Sequence, residues 1–328
     1  MTRPSRRQLL EWGIGFGLVS AGCGKQGDVI VESGAGKGLG GHAIDADPLA
    51  LLPPNAVGAA TLDARALFAS RFGARLFALT QAKSPLPASA EFDPRRDLER
   101  VYVGFYSMQG ADVAGVATGT FQPEKIEAAA TSNPQTFGGA KLTLQEYAGR
   151  NMYLTDSLGF CVLTSRTVLF GDETGMRRAL DRISEGRAQR KLPAWMVDVL
   201  ERPKAPLSGG ADFTSQPLSA AAREQVPFLN GVKTLAVVGN FQEPGLNLAG
   251  TLTYDEPEAA LRGAENLRKM HERLANYAAI LSIIGLPQPV RSLEARAEDK
   301  EVRFVAGVDG AAVAVLLEKA EAYLAQKR

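Results

Sequence analysis

Residues 101–124 and 235–258 follow one plan. Each has an apolar strand-like run, a turn with Gly, a second run ending near an aromatic residue, and then Pro-Glu opening a helical pattern. Phe121-Gln122-Pro123-Glu124 answers Tyr254-Asp255-Glu256-Pro257-Glu258 with one residue inserted. A repeat of this size constrains the fold more than any short motif, because each copy has to be one supersecondary unit that buries its apolar face against the rest. Upstream of the first copy, 56–62 reads as a small-residue strand ending at Asp63, which is placed as a helix N-cap. The helix after it would turn Phe68, Phe72, Leu76 and Leu79 to one face. Strands are expected over 141–147, 151–155 and 160–170, followed by a helix capped by Asp172. Its Met176, Leu180 and Ile183 face the core and Gly186 stops it. The second half replays this order: a strand over 207–213, Ser215 as cap, and a helix over 216–228 interrupted near Pro217 and Pro227. A hairpin over 290–298 and 301–308 and a helix over 310–326 complete it. Each half reads β-α-β-β-α-β-β-α, with an extra strand in the first. The expected class is α+β, with mostly antiparallel sheets and helices on one face.

The first 25 residues carry an address. Arg3, Arg6 and Arg7 precede a short apolar run over 12–21 that is diluted by Gly13, Gly15 and Gly17. This is too short for a span of about 20 apolar residues and fits a signal peptide. Arg6 and Arg7, within Ser5-Arg6-Arg7-Gln8-Leu9-Leu10, look like a twin-arginine export signal. Val19-Ser20-Ala21-Gly22-Cys23 resembles a lipobox, which makes Cys23 the acylated first residue of the mature chain, with Ser20 where Leu is usual. Gly24 rather than Asp after the Cys favours the outer membrane. Removing 1–22, with its three Arg and Glu11, takes the net charge from +1 to −1. With 37 Lys+Arg against 36 Asp+Glu there is no positive excess to support nucleic-acid binding. Four segments follow: signal peptide 1–22, lipidated Cys and flexible Gly-rich tether 23–48, first module 49–190, second module 191–328.

Candidate chemistry is sparse. Ser33-Gly34-Ala35-Gly36-Lys37-Gly38 fails as a phosphate loop, with Val31 and Gly38 where Gly and Ser/Thr are needed. The two His, His42 and His271, have no partner in a catalytic pattern, and two Cys with two His are too few for a typical zinc site. Cys161, in Phe160-Cys161-Val162-Leu163, reads as a buried inert thiol. Asp93, Asp97 and Glu99 interleave with Arg95, Arg96 and Arg100, a surface ion-pair network rather than an acid/base pair. No catalytic or metal-binding residues and no cofactor are expected.

One feature invites binding. The helix over 258–284 is amphipathic through Leu261, Ala264, Leu267, Met270 and Leu274, whereas residues 277–284 are apolar nearly all round and must be covered on every side. Tyr277, Ile280, Leu281 and Ile284 would either plunge into the core between the halves, line a cleft for an apolar ligand, or meet a partner protein.

Leu52-Pro53-Pro54 before a strand, the run from Phe92 through Asp93-Pro94-Arg95-Arg96 to Val101, Gly119-Thr120-Phe121, and Gly171-Asp172 leading to Met176-Arg177-Arg178 resemble bacterial envelope lipoproteins of unassigned activity. The likeness covers most of 50–185. It implies repeated sheet-helix modules and a membrane anchor, and it implies no mechanism. The resulting expectation is a lipid-anchored, non-catalytic binding or scaffolding module of the cell envelope, with a possible envelope protein as partner. The alternative is a carrier of a hydrophobic ligand or lipid in a cleft beside the 258–284 helix.

Overall fold

A strand that is apolar on both sides has to be covered on both sides, and this requirement sets the layering of the first half. The computed structural model describes residues 38–328 apart from 75–76, 78–83, 109–111, 284–286 and 327–328. The described strands are β1 (Gly58–Asp63), β2 (Leu98–Phe105), β3 (Val113–Gly119), β4 (Thr143–Tyr147), β5 (Arg150–Leu154), β6 (Gly159–Val162), β7 (Thr167–Gly171), β8 (Leu207–Asp212), β9 (Val232–Asn240), β10 (Gly245–Tyr254), β11 (Val290–Glu298) and β12 (Glu301–Asp309). They form one sheet in the order β11-β12-β10-β9-β8-β1-β2-β3-β7-β6-β5-β4. Every neighbouring pair is antiparallel. The class is α+β, built from a repeated β-α-β-β pattern.

The halves join along β1 and β8, which pair from Gly58–Ala211 to Leu62–Leu207, and each half then fans outward from this seam. β2–β3 and β9–β10 hold corresponding places. Each of these hairpins leads into a helix that starts on proline: α5 (Pro123–Ser132) and α9 (Pro257–Ile283). The proline pre-sets the helical φ where its missing N–H costs nothing. β4 and β5 answer the strands expected over 141–147 and 151–155, and the first half carries one strand more than expected. The run 160–170 is a hairpin and not one strand. Thr164 turns it, its Oγ1 accepting the N–H groups of Arg166 and Thr167 at 3.0 and 2.9 Å.

Alternation along β3, β5, β6 and β7 separates two buried clusters. Val116, Met152, Cys161 and Leu169 point to one face. There they meet α6 (Glu173–Ser184) through Met176, Ala179, Leu180 and Ile183, all at most 2% exposed at spacings of three, one and three. Asp172 caps this helix by accepting the Gly175 N–H at 2.9 Å, and Gly186 ends it at φ +71°, a left-handed conformation natural to glycine. Ala117, Tyr153, Phe160, Val162 and Val168 point to the other face and meet Ile126, Ala129 and Ala130 of α5. Helices therefore cover both faces of the first half. A third cluster joins Leu252, Ala295 and Val302 to Ala260, Ala264 and Leu267 of α9.

The segment expected to be tether folds from Gly38 onward as part of the body. α1 (Gly41–Ala46) and α2 (Pro48–Leu51) bury Ile44, Leu49, Leu51 and Leu52 in the α6 cluster. Polar contacts fix this strap. The Leu39 N–H donates to Ile183 O at 2.8 Å, Thr164 and Thr167 donate to Asp45 Oδ1 at 2.6 Å, and the guanidinium of Arg182 donates to Ala50 O at 3.0 Å. Burial lowers the pKa of Arg182. α7 (Ala194–Leu200), which falls within the expected second module, also packs into this first cluster through Met196, Val197 and Leu200.

Two local expectations change, and one short helix is added. α3 (Ala64–Ala69) is capped by Asp63 as expected, its Oδ1 accepting the Ala66 N–H at 2.8 Å, but it stops at Ser70, whose backbone is extended. Phe72 therefore lies past a break, while Leu76 and Leu79 fall outside the described residues. α4 (Pro94–Asp97) is a single turn capped by Asp93. The cap of α8 (Ala220–Gln225) is Ser219 and not Ser215, because the chain from 216 to 218 does not enter the helix until Pro217 is past. α10 (Gly310–Gln326) closes the chain.

Candidate functional site

Cys23, Arg6 and Arg7 lie outside the described residues, as does Ile284. The backbone of Tyr277, Ile280 and Leu281 continues α9, but their side chains also lie outside the described residues. Nearer its start, α9 buries Ala260, Ala264 and Leu267, whereas Leu261 is 61% exposed, one position off the buried stripe. His42 is exposed on α1 and His271 half-buried on α9.

The acidic cluster is an ion-pair network. Arg95 meets Asp93 at 2.8 Å and Arg96 meets Asp97 at 2.6 Å, while Glu99 is shared by Arg65 and Arg166 at 2.7 and 3.2 Å. Arg100 reaches back to Asp63 at 3.6 Å. The Arg95 guanidinium beside Asp93 holds its carboxyl below the usual value, the opposite of what a general acid at neutral pH requires. Cys161 is fully buried, and desolvation pushes its thiol up to about 12, leaving almost no thiolate. Among the described residues no three His, Cys, Asp or Glu gather to hold a metal ion, and no helix is long and apolar enough to cross a membrane.

Among the described residues, one apolar part of the sheet belongs to neither of two buried clusters. On the face of the sheet that carries α5 and α9, register places Leu62 of β1, Val101 and Val103 of β2, Leu207 of β8, Val237 of β9, Leu248 of β10 and Val308 of β12 side by side. All are half-buried, and none belongs to either buried cluster. They form an apolar strip between the part of the sheet under α5 and the part under α9.

Two glycines set its floor. A Cβ on Gly239 would stand 2.8 Å from Leu248 Cδ2 and 3.4 Å from Leu207 Cδ2, so these leucines lean over the glycine from both neighbouring strands. A Cβ on Gly209 would meet nothing nearer than 3.5 Å, with Val237 and Ala60 beside it. Its neighbour Gly210 faces the other way, where Trp195 and Met196 of α7 come within 3.0 Å of the same position. The Gly209-Gly210 pair thus has one glycine pressed by helix packing and one at which an added Cβ would make only ordinary contacts, with Ala59 O, Val237 and Ala60 of the sheet itself. Glycine inside a strand marks a close approach of backbone or ligand, so the signal was present in Ser208-Gly209-Gly210.

At one end of the strip, a cavity of about 440 Å³ lies beyond the last rungs of the β10–β12 ladder. Phe72 and Phe241, stacked with centroids 6.2 Å apart, form its apolar wall, and Arg71, Glu243, Arg291 and Asp309 carry its charges. Asp309 also caps α10, accepting the Ala312 N–H at 2.9 Å. Burial works against its charge, but that N–H and Arg291 keep its carboxyl below the usual value.

The fold is shared with solved structures. Crystal form III of TP0453 matches with a TM-score of 0.52 at 10% identity, over 83% of this chain and 98% of that one. Crystal form I of TP0453 matches with a TM-score of 0.51 at 10% identity, over 83% and 97%. No protein-family model and no curated protein matches the sequence.

Proposed function

We propose that this is a lipid-anchored protein of the bacterial cell envelope, non-catalytic, that binds and carries an apolar ligand such as an acyl chain on the strip beside α9. One observation carries the reading: the strip of half-buried aliphatic side chains, with Leu207, Val237 and Leu248 around Gly209 and Gly239, that register sets between the clusters under α5 and α9. A strip of half-buried aliphatic side chains offers about 25 cal/mol for each Å² of ligand surface it removes from water, and it asks no fixed direction of a flexible chain. The fold shared with TP0453 supports the architecture on which this rests. The lipobox-like Cys23 and the Arg6-Arg7 leader support the anchor and the export route.

Native mass spectrometry on the chain beginning at Gly24, purified without detergent after export in a bacterial host, tests the reading directly. A stoichiometric added mass of lipid size, lost on denaturation, is expected. Gly209→Leu should remove that mass, and its melting temperature beside that of the wild type separates a filled strip from a lost fold. A bare wild-type mass would turn the function toward a protein partner. Anchoring is tested separately: Cys23→Ser should move the protein from the membrane to the soluble fraction, and undiminished membrane retention would remove the lipid anchor from the proposal.

A further inference from the structure

We infer that the ligand is an anionic amphiphile, with an apolar tail on the strip and an acidic head in the cavity at its end. This rests on the carrier reading above and goes beyond it by assigning a head group. Cavity and strip adjoin along the ladder. Gly245 and Asp309 line the cavity and pair with one another, Leu246 and Val308 form the next rung, and Leu248, which leans over Gly239, lies two residues further. At about 3.4 Å per residue the distance from cavity to strip floor is on the order of 10 Å, well within one acyl chain. On β9 the same order holds: Gly239 is in the floor, and Phe241, two residues on, is in the cavity wall.

The volume, about 440 Å³, falls in the range of about 300–1,000 Å³ typical of small-molecule sites. The wall formed by Phe72 and Phe241 suits the first carbons of a tail. The charges sort into one committed pair and one free to exchange. Asp309, 13% exposed, is held by Arg291 and by the first turn of α10. Arg71 and Glu243 meet at 3.3 Å with side chains 90% and 72% exposed, and such a surface pair contributes little. An incoming carboxylate replaces Glu243 on Arg71 at small cost, with Arg291 beside it and the N-terminus of the 17-residue α10 adding favourable potential.

The test measures binding of oleate, oleoyl lysophosphatidate and methyl oleate to the chain beginning at Gly24, by competition with an environment-sensitive fluorescent fatty acid. Oleate should bind about two- to fivefold more tightly than its methyl ester. Arg71→Gln combined with Arg291→Gln should erase that preference while leaving ester affinity nearly unchanged. Arg71→Gln alone, at the more exposed position, should reduce it, which guards against a folding defect from loss of the Arg291–Asp309 pair. Tighter binding of the lysophosphatidate with the same arginine dependence would keep the anionic head and assign it as a phosphate. Equal affinity for oleate and methyl oleate would overturn the head-group assignment and leave the carrier reading standing. No binding of either would overturn both.

Discussion

A chain that starts at residue 53 should show no cooperative thermal transition, whereas one that starts at residue 38 should melt as a folded protein. The difference is the strap. Ile44, Leu49, Leu51 and Leu52 are each at most 2% exposed, and burying a side chain of this size is worth about 1.5–3 kcal/mol. Four of them bring about 6–12 kcal/mol, comparable with the whole stability of a typical protein, about 5–15 kcal/mol. Their loss would also uncover α6 and leave the buried Arg182 without its bond to Ala50 O. A buried cation that loses a partner is costly. Ile44→Ala alone, in the full strap, should lower stability by about 2–5 kcal/mol. Circular dichroism melts of the two truncations decide the matter. Equal melting temperatures would mean that the strap is an ornament on a body that folds without it.

The second large effect is expected at Gly119, the last residue of β3. An added Cβ there would sit 2.0 Å from the carbonyl oxygen of Asp97, a backbone atom that cannot rotate away. That carbonyl is also held in place, accepting the Thr120 N–H at 2.8 Å, while Asp97 Oδ2 accepts the Asp93 N–H at 2.9 Å. Gly119→Ala therefore has to push β2 and β3 apart where the ladder already shifts register between Leu98 and Arg100. A loss of about 3 kcal/mol is expected, seen as a lower urea midpoint at constant slope. Gly209→Ala, whose Cβ has ordinary room, should change stability by less than about 0.5 kcal/mol. If the two alanine variants proved equally stable, the close approach at Gly119 would not be a real constraint.

Much of the element order was legible in the chain because it depends on local chemistry. Asp63 and Asp172 cap the helices they were expected to cap, Pro123 and Pro257 open theirs, and Gly186 stops α6, since each acts on backbone within a few residues. The errors cluster where a competing neighbour decides. Thr164 folds 160–170 into a hairpin that an apolar run alone does not reveal. Leu261 matches the helical period yet faces solvent, because the sheet takes the stripe through Ala260, Ala264 and Leu267 instead. Gly-rich sequence around 33–41 reads as spacer up to the point where Leu39 and Ile44 find α6.

Sequence by itself determined that the chain is duplicated and α+β, and that its charges nearly balance, with 37 Lys+Arg against 36 Asp+Glu. These are properties of composition and of periods shorter than a helix or hairpin. Only the tertiary structure decided that the two halves share one sheet through β1 and β8, that the strap belongs to the core, and that Gly209 and Gly210 serve opposite faces. Pairing and coverage join residues more than a hundred positions apart, and nothing in a single strand records which neighbour will stand over it. The same reason hid the candidate site. Its half-buried side chains come from strands brought together only when the sheet is assembled.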